Sequence, residues 1–479
     1  MGYHLPDGSG AAGARRGPVS LERVPSSYRD PSGFLFYHQG TLFRFVATSY
    51  RAHYDALMTG GLYEELTGAG LLVPHQEVSV AELATPDAYR VLAPERVPFV
   101  SYPYEWCFGQ LKAAALCTLE IQKRALGHGM ILKDASGYNV QFRRGRPIWI
   151  DTLSFDLYRE GTPWVAYRQF CEHFLAPLVL MVRVRADAGR LLREYLDGVP
   201  LEVAARLLGA RGAFSPAVLM HIRLHARSIR HFADTNTKVP PKVPRMGQRS
   251  LVALIDSLAA AVRGLDWKPS GTPWADYGRA HGYTAESLEA KHRVVADYLR
   301  AAGARTVWDL GANTGDFSRL AAGTGASTIA FDADPAAVEL NYRQSVADDE
   351  ERILPLVMDL TNPSPSLGWG LRERMSLVDR GPADVLLALA LVHHLAISHN
   401  LPFELTAETF ARLGRRLIIE FVPKDDPQVQ RLLRSREDIF TQYDREGFER
   451  AFSRFFRVEH CSVLPASGRV LYSMTRNEA

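Results

Sequence analysis

Apolar positions along the chain recur with two rhythms. From Gly33 to Val46, apolar and aromatic residues flank the polar turn His38-Gln39-Gly40, which predicts a β-hairpin. Tyr50 to Thr67 reads as a helix stopping at Gly68. In Phe108–Leu126, Leu111, Ala115, Leu119 and Gln122/Ala125 fall at helical spacing, and Gly127 is the stop. Val140–Phe142 and Ile148–Ile150 alternate about Arg144-Gly145 and predict a second hairpin. Val165–Val184, Ala188–Leu196 and residues 216–233 read as helices, and Pro240, Pro241 and Pro244 end that run. Helical periodicity resumes over 249–264 and 284–302.

Beyond Thr306 the rhythm becomes strand, helix, strand. Thr306–Leu310, Ser327–Asp332, Ile353–Asp359, Ala383–Leu389 and Arg416–Glu420 read as strands separated by helical stretches. Phe455–Glu459 and Arg469–Met474 read as a terminal strand pair. Such alternation predicts an α/β fold with a parallel sheet and crossover helices. Ligands of such sheets lie at the carboxyl ends of the strands. Asp309, Asp332, Asp359, His393, His394 and Glu420 all fall at that edge.

Composition bounds the function. A length of 479 residues divided by about 150 per domain suggests roughly three domains. The element pattern reduces this to two main parts and a junction. Residues 1–20, rich in Gly and Ala, are expected to be disordered. Residues 21–235 form an N-terminal α+β domain, 236–303 a connector and helical cover, and 304–479 the parallel sheet. Lys plus Arg is 56 against 53 for Asp plus Glu, a formal charge of +3. That balance offers no broad cationic face, so nucleic acid is not an expected partner. Arg223, Arg227 and Arg230, interleaved with histidines, offer a local phosphate contact or equally a solvated helix face. Cys107, Cys117, Cys171 and Cys461 have no metal-ligand spacing and fit a reducing compartment. The most apolar runs, Phe174–Val182 and Val385–Val392, are shorter than the roughly 20 residues of a membrane span. A cytoplasmic protein without membrane association is expected; oligomeric state is not legible.

The turn after the first strand of the sheet is Gly311-Ala-Asn313-Thr-Gly315-Asp316. Its glycines allow a tight turn and close backbone approach to a ligand. A dinucleotide site wants G-x-G-x-x-G with its pyrophosphate on the helix N-terminus. Asp316 would set a negative charge there, which favours a cofactor with a positive centre instead. Asp332, ending the second strand, has the acceptors to take both ribose hydroxyls. Asp359 has one for an adenine amino group.

These residues, in this order, resemble class I S-adenosylmethionine-dependent methyltransferases. The segment Asp309-Leu-Gly-Ala-Asn-Thr-Gly315 is similar to that family's first motif, and Ala390–Leu395 resembles the segment facing methyl donor and acceptor. The resemblance implies a Rossmann-like sheet and an enzyme using S-adenosylmethionine. It implies a cofactor site of Asp309, Gly311, Asn313, Gly315, Phe317, Asp332, Ala333, Asp359 and Leu360. His394, His393 and Glu420 are the candidate catalytic groups. Trp274, Tyr277, Tyr283, Lys291, Tyr104 and Trp106 are candidates for the acceptor site, which takes a small-molecule or carrier-bound acceptor. No metal is implied there.

The first part carries another pattern. Asp134-Ala-Ser-Gly-Tyr-Asn139, followed by Asp151 after a hydrophobic strand, resembles the catalytic loop and metal-binding aspartate of kinase-like phosphotransferases. The resemblance implies a kinase-like domain in which magnesium and ATP matter only if it is active. It lacks a glycine-rich loop in the 33–46 hairpin, and Lys112 falls inside a helix rather than on a strand. In the other reading the three residues organise a hairpin. The two-part arrangement resembles bacterial methyltransferases, some linked to specialised metabolites or modified saccharides. A bifunctional kinase-methyltransferase and a non-catalytic cofactor-binding scaffold are the alternatives.

Overall fold

The computed structural model describes residues 22–79, 87–209, 219–224, 246–269, 283–434 and 436–478. Contacts divide the chain into two compact units, one drawing on residues up to Ala52 with Pro74–Arg96, the other on His53–Val73 with everything from Val97.

The smaller unit is a five-stranded antiparallel sheet of β1 (Glu22–Arg23), β2 (Gly33–His38), β3 (Thr41–Ala47), β4 (His75–Val78) and β5 (Ala88–Pro94), in the order β1-β2-β3-β5-β4. The expected hairpin is β2–β3. Its turn puts Gln39 at φ 50° and Gly40 at φ 76°, the left-handed pair a two-residue hairpin needs. Phe34 stacks on Phe45 with ring centroids 4.8 Å apart, a cross-strand pair that fixes register.

In the larger unit, the single helix expected over Tyr50–Thr67 is two, α1 (Arg51–Thr59, which begins in the smaller unit) and α2 (Leu62–Gly68), because Gly61 turns left-handed at φ 81°. Next come α3 (Phe108–Gly127), β6 (Met130–Leu132), the hairpin β7 (Val140–Arg143) and β8 (Arg146–Trp149), and β9 (Phe155–Leu157). Helix α4 (Ala176–Arg183) leads to a 3-10 turn, Ala186–Arg190, and the short α5 (Leu191–Glu194), where one helix was expected over Ala188–Leu196. The helix expected over 216–233 lies largely outside the described residues.

Helices α6 (Gln248–Arg263) and α7 (Ala285–Ala302) precede the main sheet. Thr284 caps α7 by accepting from Ser287 N at 3.1 Å. The sheet has seven strands: β10 (Thr306–Leu310), β11 (Ser327–Asp332), β12 (Ile353–Val357), β13 (Ala383–Ala388), β14 (Gly414–Phe421), β15 (Phe456–Val463) and β16 (Val470–Arg476). Their order is β12-β11-β10-β13-β14-β16-β15. The first five are parallel; β16 runs antiparallel to β14, and β15 to β16. This is the expected Rossmann-like α/β sheet. Strand order reverses between β10 and β13, so the crevice for a ligand opens there. Helices α8 (Asp316–Gly323), α9 (Pro335–Ala347) and α10 (Phe403–Leu413) flank it.

An apolar core cluster runs through this unit from Leu111 and Leu119 on α3 to Trp308, Phe331 and Leu356 on the sheet, and a separate one packs α7 against β10, β13 and β14 through Val295, Val307, Val385 and Ile418. Polar bonds cross the first too. Gly109 N donates to Glu339 on α9 at 2.7 Å, and Gln110 Nε2 donates to Pro355 O at 2.9 Å. A side chain at Gly109 would come within 2.9 Å of Tyr342 and 3.0 Å of Glu339, so only glycine permits this close approach.

Candidate functional site

The loop from β10 to α8 is shaped by residues in the left-handed region: Gly311 at φ 77°, Asn313 at φ 50° and Gly315 at φ 86°. Asn tolerates that region better than most side chains. Gly315 is required by space as well, since a Cβ there would lie 2.3 Å from the Asn341 side chain. The loop bends back onto β11, where Asn313 N donates to Asp332 Oδ2 at 2.8 Å. Asp334 N donates to Asp332 Oδ1 at 2.9 Å. The Asp332 carboxylate is thereby aimed and each oxygen keeps a second acceptor position. Burial pushes its pKa up to about 6, against the backbone donors that lower it.

A cleft of about 540 Å³ lies along this edge. Gly311, Asn313, Asp332, Ala333, Asp359, Leu360 and His394 line it, all of them sequence candidates. Asp359 Oδ1 accepts from Thr361 N at 2.9 Å and Thr361 Oγ1 at 2.7 Å. The other cofactor candidates stand behind the wall. Asp309, 2% exposed, accepts from Ser318 Oγ at 2.6 Å, and burial pushes its pKa up to about 7. It holds the start of α8 in place. Gly315 shapes the turn, and Phe317 packs under His292, ring centroids 4.8 Å apart.

His394 faces the cleft, and burial, with His399 nearby, brings its pKa down to about 4, so it is neutral at pH 7. His393 is fully buried and its ring lies 4.1 Å from that of His394. Among the described residues, neither nitrogen of His393 has a hydrogen-bond partner, and burial holds its pKa well below the ordinary range.

Glu420 does not line the cleft. It is fully buried; Oε1 accepts from Tyr283 OH at 2.6 Å, and Oε2 from Lys291 Nζ at 2.8 Å and Ala390 N at 2.8 Å. Lys291 Nζ also donates to Tyr283 OH at 2.7 Å, and Arg469 NH1 lies 3.6 Å from Glu420. Burial would raise the Glu420 pKa, but the Lys291 and Arg469 charges outweigh it and hold the carboxylate ionised. Tyr283 and Lys291, expected at the acceptor, are therefore tied to Glu420. Through Ala390, held at φ 49°, the network shapes the cleft wall after β13.

Trp106 is buried, donates to Ser101 Oγ at 2.9 Å, and packs edge-on against Phe142, which makes it core rather than pocket wall. Tyr104 lines a second cleft, of about 480 Å³. Trp274 and Tyr277 lie outside the described residues. Missed by sequence reasoning were Arg185 and Asp187, which reach the cofactor-edge cleft from the turn after α4, and Ser398. Only long-range contact brings Arg185 and Asp187 there.

In the first part of the unit, Asp134, Asn139 and Asp151 converge. Asp134 Oδ1 accepts from Ser136 N at 2.8 Å, and burial, helped by the Asp151 charge, raises its pKa. Asn139 Nδ2 donates to Ser154 Oγ at 3.4 Å, and Asp151 accepts from Leu153 N and Ser154 Oγ. Among the described residues, no cluster of three or more His, Cys, Asp or Glu is placed to hold a metal, and no helix is long and apolar enough to cross a membrane.

No protein-family model matches the chain. It is 38% identical over 465 residues to the nodulation protein NoeA of Rhizobium meliloti strain 1021, covering 95% of this chain and 96% of that one. Among solved structures it is similar to magnesium protoporphyrin IX methyltransferase of Synechocystis PCC 6803 with bound SAH, at 18% identity and a TM-score of 0.30, covering 40% of this chain and 84% of that one. It is also similar to the bifunctional kinase-methyltransferase WbdD, at 17% identity and a TM-score of 0.30, covering 43% of each chain.

Proposed function

The chain belongs to the family of the nodulation protein NoeA, and on that premise we propose that it is an S-adenosylmethionine-dependent methyltransferase whose acceptor is a small or carrier-bound molecule of nodulation. One observation carries the reading: at the sheet's switch point, the Gly311–Gly315 loop and the aimed Asp332 carboxylate meet on a cleft large enough for a nucleoside cofactor.

The residues fit that cofactor. Asp332 keeps acceptor positions for two ribose hydroxyls and is half-buried, so a diol replaces water there without an added cation. Asp359 accepts from the adenine amino group, and Gly311 lets the amino-acid end approach the backbone. The cofactor, when bound, supplies an electrophilic methyl group on a sulfonium. The chain's own task is to set the acceptor in line with that group and keep water out. His394, neutral, orients the acceptor by hydrogen bonding; a pKa of about 4 makes it a weak base at neutral pH. Glu420, Lys291 and Tyr283 hold the Ala390 wall rigid.

Calorimetric titration with S-adenosylhomocysteine tests the reading. Saturable binding is expected, and Asp332→Ala should weaken it by about tenfold or more, two lost hydrogen bonds at roughly 1 kcal/mol each, with an unchanged circular dichroism spectrum. No binding by the parent protein rules out the reading.

A second reading, magnesium-dependent phosphotransfer, is favoured by the convergence of Asp134, Asn139 and Asp151. In it Asn139 and Asp151 hold the metal and Asp134 accepts a hydroxyl proton. ATP binding that requires magnesium and is lost in Asp151→Asn supports it; no ATP binding at about millimolar concentration dismisses it.

A further inference from the structure

We propose that the cleft beside the cofactor edge seats the acceptor, and that it takes an apolar body carrying a phosphate or carboxylate, with Arg190, Arg193 and Tyr104 as the anion's donors. The proposal rests on the methyl-transfer reading and names its substrate class.

This cleft, about 480 Å³, lies between the Ala186–Arg190 turn with α5 and the end of β12. It shares Arg185, Asp187, Met358 and Asp359 with the cofactor-edge cleft, so occupants of the two lie side by side. Leu180, Val184 and Leu191 make an apolar wall. The charges lining it are not all available. Arg185 and Asp187 neutralise one another through paired bonds of 2.8 Å each. Glu194 is exposed at the rim, and Asp359 stands on the edge shared with the cofactor cleft, where the methyl-transfer reading uses it for the adenine. Arg190 and Arg193 remain, three positions apart and so on one side of the segment. Arg193 is oriented by Asn362, whose Oδ1 accepts from NH2 at 3.2 Å. Among the described residues, no acidic side chain pairs with Arg190 or Arg193.

Tyr104 adds an independent observation. The residue is 3% exposed and lines the cleft, and its hydroxyl has no hydrogen-bond partner among the described residues. A buried hydroxyl left without a partner is unfavourable, and a ligand acceptor would relieve it. Burial raises the phenol's pKa, so the group stays protonated and donates. Two guanidiniums and one buried O–H form a donor set suited to an anionic oxygen cluster.

The test is calorimetry on the full chain at constant ionic strength with phenyl phosphate, benzoate and benzyl alcohol as probes, alongside S-adenosylhomocysteine. Saturable binding of at least one anion is expected, with the neutral alcohol about tenfold weaker or worse. Arg190→Met should lose about tenfold, and the near-isosteric Tyr104→Phe about threefold or more. Tyr104→Phe keeps the test alive if the arginine variant misfolds. Phenyl phosphate alone points to a phosphate ester, benzoate alone to a carboxylate. Equal binding of the alcohol, or anion binding indifferent to both substitutions, overturns the proposal. So does anion silence in a protein that binds S-adenosylhomocysteine, which leaves the methyl-transfer reading standing. Anion binding through Arg190 in a protein that ignores S-adenosylhomocysteine overturns the methyl-transfer reading instead.

Discussion

Asp332 and Glu420 are both acids at strand ends, yet their surroundings give them opposite characters. Burial and the nearby Asp334 charge outweigh the backbone donors to Asp332, so its pKa rises to about 6. Protonation would turn one acceptor oxygen into a donor and break its bond to a ribose hydroxyl. Affinity for S-adenosylhomocysteine should therefore hold above pH 7 and fall as pH drops through about 6, by roughly tenfold at pH 5. Asp332→Asn should bind weakly and without that slope; calorimetry across pH reads both. Glu420 instead meets Lys291, itself only 3% exposed. Glu420→Ala would strand a buried ammonium and should cost about 3–5 kcal/mol in urea denaturation. Restoring stability by adding Lys291→Met would show that the penalty belongs to the stranded charge. In sequence these two acids look alike, because a strand-end carboxylate carries no local mark of whether it faces the crevice or a lysine on α7. The roles of Asp332 and Asp359 as cleft residues were legible; those of Glu420, Lys291 and Tyr283 were not, since their partners lie over a hundred residues away.

The elements followed their local signals closely where glycine or alternation set the boundary. The hairpins turned at Gln39-Gly40 and Arg144-Gly145, and the parallel strands fell at the apolar runs. The misses were breaks inside apparent helices: Gly61 divides α1 from α2, and the segment after α4 tightens to a 3-10 turn. Helical periodicity survives such breaks, so pattern alone does not reveal them. Helix α8 offers a test of how local geometry serves the site. Gly315 precedes it at φ 86° with Asn341 in the way of any Cβ, whereas Gly323 ends it with nothing within 4 Å. Gly315→Ala should destabilise by about 1–3 kcal/mol, through left-handed strain and overpacking, and weaken S-adenosylhomocysteine binding. Gly323→Ala should be neutral or stabilising by up to about 1 kcal/mol. Thermal denaturation and calorimetry of the two variants separate the turn's role from helix propensity.

At the scale of the whole larger unit, the sheet is tied to residues far from it in sequence. Phe99 packs edge-on against Trp308 of β10, with ring centroids 5.6 Å apart. Arg380, before β13, clamps Glu105 with bonds of 2.8 and 2.6 Å, and both side chains are almost fully buried. A buried pair of this kind stabilises little when complete, but breaking it leaves a bare charge inside the protein. Glu105→Ala should therefore cost about 3–5 kcal/mol, although Glu105 is far in sequence from the sheet it supports. The same continuity sets the unfolding mode. A core cluster shared between α3 and β10–β12 ties 97–209 to the sheet. Scanning calorimetry should show the larger unit unfolding in one transition that Glu105→Ala moves as a whole. A chain cut down to 283–479 would expose Trp308, Phe331 and Tyr342 to water and should lose the near-ultraviolet dichroism of packed aromatics. A cooperative transition and intact near-ultraviolet signal from that fragment would show that the sheet folds alone, and that the N-terminal layer serves only the cleft beside the cofactor edge.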